Sequence, residues 1–382
     1  MHTHSRRGFL RTVLGGCWTG AAVLEQALFR ATHARAQSSP ALPALFDIEK
    51  VADGVYAALA RPQALLNCNA VIFENASDLL ILDTHSKPSA VVSLVSQIRR
   101  EITKKPVRYV VASHFHWDHA QGMPAYRKIA PHADLVASEA TRRLLSEHAA
   151  TRLKASLEQS QKSLAEARDK LGKAATPAEK SHWQRTVRET GDYLAEMKNF
   201  APELPNVTLQ ENLILHDKAH ELHLAFRGRG HTAGDVVVWC PQKKVVATGD
   251  LLHSFAPFLG DGYPREWPRT LLRVAEFDFA HVAGGHGEVH HSRDRLYQMA
   301  NYIEELTEAV ARGKRDGRTL EQLQKSIPPA SLKTLADGGY GSLAARNILK
   351  YRSLPPGLGE AEVLADAVGS NIAQIFAALE RG

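Results

Sequence analysis

At 382 residues the chain exceeds one ordinary hydrophobic core, so a large domain with appendages, or two domains, is expected. Its net charge of +6 is concentrated in the first 36 residues. These carry five arginines and one glutamate, leaving 42 basic against 40 acidic residues beyond them and no basic surplus of the kind that nucleic acid attracts. Three cysteines are too few for a disulfide scaffold; Cys17 belongs to the leading segment, and Cys68 and Cys240 lie in apolar runs that suit buried free thiols.

The leading segment has its own logic. Ser5-Arg6-Arg7-Gly8-Phe9-Leu10 matches the bacterial twin-arginine export signal, an apolar stretch follows over 12–28, and Ala34-Arg35-Ala36 is a small-x-small cleavage site. Residues 1–36 are therefore expected to be a signal peptide and the mature protein to be periplasmic. Glu25 interrupts an apolar stretch already short for a bilayer, and no window after residue 37 is expected to span one.

From Val51 onward the pattern is rich in strands. Residues 55–60, 69–74 and 79–83 form a meander with a turn at 75–78, and 88–102 has helical spacing through Val91, Val92, Val95 and Ile98. A buried strand at 107–112 follows. A second block repeats the theme, with strands at 221–227, 236–240, 244–248 and 279–283 and a helix at 267–276. Two strand-to-helix blocks imply two sheets packed face to face with helices outside. Between the blocks, Ala150, Leu153, Leu157, Ser160, Leu164, Ala167 and Leu171 keep a 3–4 spacing, as do Trp183, Val187, Thr190, Leu194 and Met197. Gly172 ends the first arm, and Thr176-Pro177-Ala178-Glu179 opens the second with a capping box, which predicts an antiparallel helical hairpin within 139–204. A self-packed insertion, a lid and a dimer arm all fit that spacing. After Gly287 the chain reads as helical to its end, at 294–312, 319–326, 341–352 and 361–379.

The chemistry is concentrated in His114-Phe115-His116-Trp117-Asp118-His119, directly after the 107–112 strand. Imidazole and carboxylate are the groups that bind Zn²⁺ or Fe²⁺ at neutral pH, and a strand end holds them in fixed geometry. Three more segments place a ligand-type side chain behind a glycine at a strand end: Gly230-His231-Thr232, Gly249-Asp250 and Gly285-His286-Gly287. Glycine permits sharp turns that present the next side chain to a crowded centre. One such pair is common by chance; four segments in this order are not.

The order H-x-H-x-D-H, G-H-T, G-D, G-H-G resembles the metallo-β-lactamase superfamily over about residues 50–290, interrupted by the hairpin. That resemblance implies an α+β fold, a four-layer αββα sandwich across 37–300 with the hairpin inserted at 139–204, followed by a helical C-terminal extension at 301–382. It also implies a two-metal site. His114, His116 and His231 would bind one ion, Asp118, His119 and His286 the other, with Asp250 bridging and Asp118 as the catalytic group that orients the nucleophile and shuttles its proton. Two Zn²⁺ are the expected cofactors, with iron as the alternative. Asp83 is the expected hydrogen-bond partner of a ligating histidine, with Thr232 as second choice. His85 is either a pocket residue or solvated, and Phe258, Tyr263 and Trp267 are either pocket walls or ordinary aromatics.

The expected activity is hydrolysis of a small-molecule ester, lactone, thioester or amide by a metal-bound hydroxide, with β-lactam cleavage secondary. Asp250 keeps the bridging carboxylate of general hydrolases such as glyoxalase II and lactonases, where β-lactamases lack an acid or use cysteine. Alternatives are an iron-dependent redox enzyme resembling sulfur dioxygenases and a non-catalytic metal-binding partner protein. The expected partner is a small-molecule substrate; nucleic acid and stable membrane insertion are not expected, and the hairpin is where oligomerisation would occur.

Overall fold

The computed structural model describes residues 44–336 and 339–381; residues 1–36, where an export signal is expected, lie outside the described residues. The first sheet runs β1 (Phe46–Ala52), β2 (Val55–Ala60), β3 (Ala70–Glu74), β4 (Leu79–Leu82), β5 (Val107–Val111), β6 (Asp134–Ser138) and β7 (Val207–Leu209) in spatial as in chain order. Its first four strands pair antiparallel and its last four parallel. The parallel crossovers carry helices α1 (Pro88–Glu101), α2 (Trp117–Ala120), α3 (Met123–Ile129) and the hairpin arms α4 (Glu139–Lys173) and α5 (Pro177–Glu196). The second sheet has the order β13 (Val289–His290), β12 (His281–His286), β11 (Val245–His253), β10 (Val236–Cys240), β9 (Glu221–Phe226) and β8 (Asn212–His216).

Side chains alternate between the two faces of each strand, and that alternation builds the layers. Val71 and Phe73 of β3 face inward with Leu80, Val111 and Val136, meeting Leu224, Val238 and Ala247 of the second sheet. Ile72, Ile81 and Leu135 face outward onto Val91, Leu94 and Ile98 of α1. On the far side, Val237, Val246 and Val282 pack against α6 (Trp267–Ala275) and α7 (Asp294–Arg315). The protein is thus an α+β sandwich of four layers, helix, sheet, sheet, helix.

The chain continues through α8 (Leu320–Ser326), α9 (Lys333–Ala336), α10 (Tyr340–Tyr351) and α11 (Glu360–Arg381). Val368, Ile372 and Ile375 of α11 join the outer core with Leu296, Ile303 and Leu306 of α7. Contrary to the sequence expectation, α11 contains a stretch long and apolar enough to cross a bilayer, Glu360–Glu380. Its apolar stripe is a packing face: Asn371 accepts a hydrogen bond from the Tyr302 hydroxyl and donates to the Pro257 carbonyl. A helix docked on a core passes the same length test as a membrane span.

Several boundaries differ from expectation. β1, β6, β7 and β8 were not anticipated, and β13 precedes the helical tail. β11 does not stop at Thr248 but runs through Gly249 and Asp250 to His253, carrying a metal-type ligand inside a strand. The hairpin's capping box is present, with Glu179 N–H donating to Thr176 Oγ1 and Thr176 N–H to the Glu179 carboxylate. The first arm continues past Gly172 to Lys173. Cys68 and Cys240 are buried and free.

Candidate metal centre

The loops after β4 and β5 in one sheet meet β11 and β12 of the other at a single edge. Two glycines make that meeting close. A Cβ on Gly249, whose φ is +51, would collide with the Ser113 side chain; one on Gly285 would collide with the Asp250 carboxylate. Only glycine lets the strand bearing Asp250 settle against the histidine cluster.

His114, His116, Asp118, His119, His231, Asp250 and His286 all come together there, and all are buried. His231 Nε2 lies 2.8 Å from His116 Nδ1, and the His114 ring centroid lies 4.6 Å from that of His231. On the other side, His286 Nε2 is 3.3 Å from Asp118 Oδ2, and His119 Nε2 is 3.5 Å from the same oxygen. Asp250 lies between: Oδ1 is 3.3 Å from His119 Nε2, and Oδ2 is 3.5 Å from His231 Nε2 and 3.4 Å from His286 Nε2.

The outer nitrogens explain why the inner ones point inward as acceptors. His119 Nδ1–H donates to Asp83 Oδ2 at 2.9 Å, and His231 Nδ1–H donates to the Phe258 carbonyl at 3.0 Å. His116 Nε2–H donates to Asp261 Oδ2 at 2.8 Å. His114 Nδ1–H donates to Ser113 Oγ at 2.9 Å, and that hydroxyl donates to Asp83 Oδ2 at 3.0 Å. Each imidazole is thereby fixed as the tautomer whose other nitrogen carries a lone pair. His114 Nε2, His119 Nε2 and Asp250 Oδ1 are buried with no hydrogen-bond partner among the described residues. Buried lone pairs without donors are costly, and a divalent cation satisfies them. Among the described residues five groups meet the spacing of a metal site: His114 with His116 and His231; His114 with His119 and Asp250; Asp118 with His119 and His286; His231 with Asp250 and His253; and Cys68 with Asp83 and His119.

Electrostatics follow from crowding. Burial, then the neighbouring imidazoles, holds His114 and His231 well below the ordinary histidine range. Burial works against ionisation of Asp250, yet the imidazoles of His119, His253 and His286 outweigh it and keep its carboxyl well below the usual range. Cys68 lies near Asp83 and His119, but burial pushes its thiol up to about 12, so it stays protonated and a poor ligand.

Four supporting residues escaped the sequence reading. Ser113 and Asp261 orient His114 and His116. Arg152 of α4 grips Asp261 with two hydrogen bonds, of 2.9 and 2.7 Å, so the hairpin is fastened to the site. His253 stacks on His286 with centroids 5.4 Å apart and has Nε2 3.3 Å from Asp250 Oδ2. Its signal was available: it is the third residue after Asp250 on a strand read as ending too early. Among anticipated supports, Asp83 occupies its expected place, held at φ +73 and receiving Ser113 N–H at 2.8 Å. Thr232 instead binds Asp235, through its amide and hydroxyl. His85 is neither in the pocket nor solvated: it is fully buried, with Nδ1 donating to the Cys68 carbonyl at 3.1 Å. Phe258 lines the cavity over the site, Trp267 is buried behind His231, and Tyr263 stacks under Arg229.

A sequence profile described as the metallo-beta-lactamase superfamily matches residues 64–309. A curated relative, metallo-beta-lactamase type 2 of Elizabethkingia meningoseptica, is 31% identical over 74 residues, covering 18% of this chain. The chain spans 30% of the length of that relative. Among solved structures, a metallo-beta-lactamase from Pontibacter korlensis is similar over 67% of this chain and 98% of its own, at 18% identity and a TM-score of 0.48. DIM-1 metallo-beta-lactamase is similar over 68% of this chain and 97% of its own, at 18% identity and a TM-score of 0.49.

Proposed function

From the premise that this chain belongs to the metallo-β-lactamase superfamily, we propose that it is a dinuclear zinc-dependent hydrolase of small-molecule esters, lactones, thioesters or amides, acting in the periplasm. One observation carries the reading: seven buried side chains turn ring nitrogens or carboxylate oxygens toward a common centre, while the outer nitrogens of His114, His116, His119 and His231 are tied to acceptors. In this assignment His114, His116 and His231 would hold one ion, Asp118, His119 and His286 the other, and Asp250 both. Such ions supply Lewis acidity and lower the pKa of water from about 15.7 towards 7.

The chain's own residues do the rest. Asp118 lines the cavity and is placed to hold the attacking water and accept its proton, which it then returns to the leaving group. Asp83 and Asp261 keep His119 and His116 from rotating. Arg152 and Phe258 limit the approach of substrate and bulk water. The carboxylate at 250 favours general hydrolysis, with β-lactam cleavage, the activity in the relatives' names, as a secondary reaction.

Metal analysis of the purified protein is expected to give zinc near two equivalents, and a screen of lactones, thioesters, esters and nitrocefin to find turnover. Asp118→Ala and His286→Ala should abolish that turnover with near-native circular dichroism. Full activity in both variants, or after metal stripping, refutes the mechanism; iron with dioxygen consumption points to the redox alternative.

A further inference from the structure

The cavity over the metal centre has a volume of about 550 Å³, within the range of small-molecule sites. Its floor is the cluster already described. Its far wall is the C-terminal extension, through Ile348, Arg352, Leu354, Leu358 and Val363. The polar liners are mostly committed elsewhere: Arg152 to Asp261, Asn371 to the Pro257 carbonyl, and Gln374 to the Leu259 amide.

Arg352 is different. Only its backbone is engaged, its N–H donating to the Ile348 carbonyl at the end of α10. Among the described residues its guanidinium has neither a hydrogen bond nor an ion pair, although Asp366 lines the same cavity. The next residue, Ser353, accepts a hydrogen bond of 2.9 Å from Arg185 of the hairpin, so the backbone here is held from two sides. Arg352 is exposed and lines the cavity, so its guanidinium is open to an incoming anion with no internal carboxylate to displace. Among the described residues, two of the five exposed large hydrophobic side chains, Phe258 and Leu358, also line the cavity.

We propose that Arg352 is the anion-recognition residue of this site, and that the substrate is a monocarboxylate whose apolar body lies between the carboxylate and the bond cleaved at the metal centre. The planar guanidinium fork matches a carboxylate with two parallel hydrogen bonds, which a lysine cannot reproduce. Asp366 on the same wall disfavours a second negative charge on the ligand.

The substrate half of this proposal rests on the hydrolase reading; the binding half does not, and the experiment separates them. In the kinetic arm, zinc-loaded full-length protein is given the monophenyl ester of glutaric acid with its distal carboxyl free or methyl-capped. Arg352→Gln is expected to raise KM for the free acid about 10- to 100-fold with kcat little changed, leave the capped ester unaffected, and be partly rescued in Arg352→Lys. In the binding arm, calorimetry with phenylacetate and phenylacetamide is expected to show phenylacetate affinity falling about as much in Arg352→Gln, while phenylacetamide is unchanged. If neither ester turns over, the hydrolase reading fails and the binding arm alone decides. Equal losses for charged and uncharged ligands would reveal a structural role and overturn the proposal. Unchanged phenylacetate affinity would overturn it too, by placing the carboxylate on the metals.

Discussion

His85 shows how a single backbone angle fixes a side chain's chemistry. It adopts φ +70, a conformation costly for most residues, which turns its ring into the interior against Phe46, with centroids 4.5 Å apart. Burial there lowers its pKa to about 3 from an ordinary 6.5, so the folded protein holds it neutral. The unfolded chain takes up a proton near pH 6.5. The stability that His85 contributes is therefore fully present above that pH and is lost as pH falls from 6.5 towards 3. Asparagine tolerates the same backbone region without titrating. His85→Asn is expected to cost about 1–3 kcal/mol at pH 7 through the lost hydrogen bond and packing. Urea unfolding should also show a shallower loss between pH 6.5 and 4 than in the wild type; parallel curves would assign the acid sensitivity elsewhere. The seven converging donors are legible in the sequence because each ends an apolar strand or follows a glycine. Their supports are not: Asp261 reaches His116 from 145 positions away, and no local pattern encodes a hydrogen bond that exists only after the sheets pack.

At the scale of elements, the hairpin is the part most fully written in local code. Its seam residues Leu153, Ser160, Ala167, Thr190 and Met197 are buried, and the cap at Thr176 is complete. The strands were harder. β1 carries Asp47, Glu49 and Lys50 on a sheet edge, and its alternation with Phe46, Ile48 and Val51 is diluted by charge. β11 was cut short because Gly249 and Asp250 look like a strand end, whereas the register shift there bends the strand around the site and lets it continue. Because the hairpin's capping is local, its loss should be local. Thr176→Ala is expected to cost about 0.5–2 kcal/mol, seen as faster amide exchange in the first turns of α5 while the strands keep their protection. Exchange that rises throughout the sandwich would mean that the hairpin folds as one unit with it. Such coupling has a route, since Arg152, Arg185 and Glu189 tie the arms to Asp261, Ser353 and the Ala64 amide.

For the whole molecule, the cluster sits where two independently ordered sheets meet, with His114 to His119 from one and His231, Asp250 and His286 from the other or its loops. Burying five imidazoles and two carboxylates at that seam opposes folding unless something satisfies their inner lone pairs. A cation bound there stabilises the folded state by mass action, because the unfolded chain offers no comparable site. At a hundredfold excess over its Kd, one ion contributes about 2.7 kcal/mol, which for a chain of this size is on the order of 4 °C in Tm. Differential scanning calorimetry of chelator-stripped protein should therefore show a lower Tm that zinc restores in a concentration-dependent way. His286→Ala should shrink the zinc-dependent rise, and His85→Asn should leave it intact, because His85 lies outside the donor set. A Tm indifferent to zinc in the wild type would mean that the two sheets are held by their apolar interface alone, and that the convergence of donors contributes nothing to the fold.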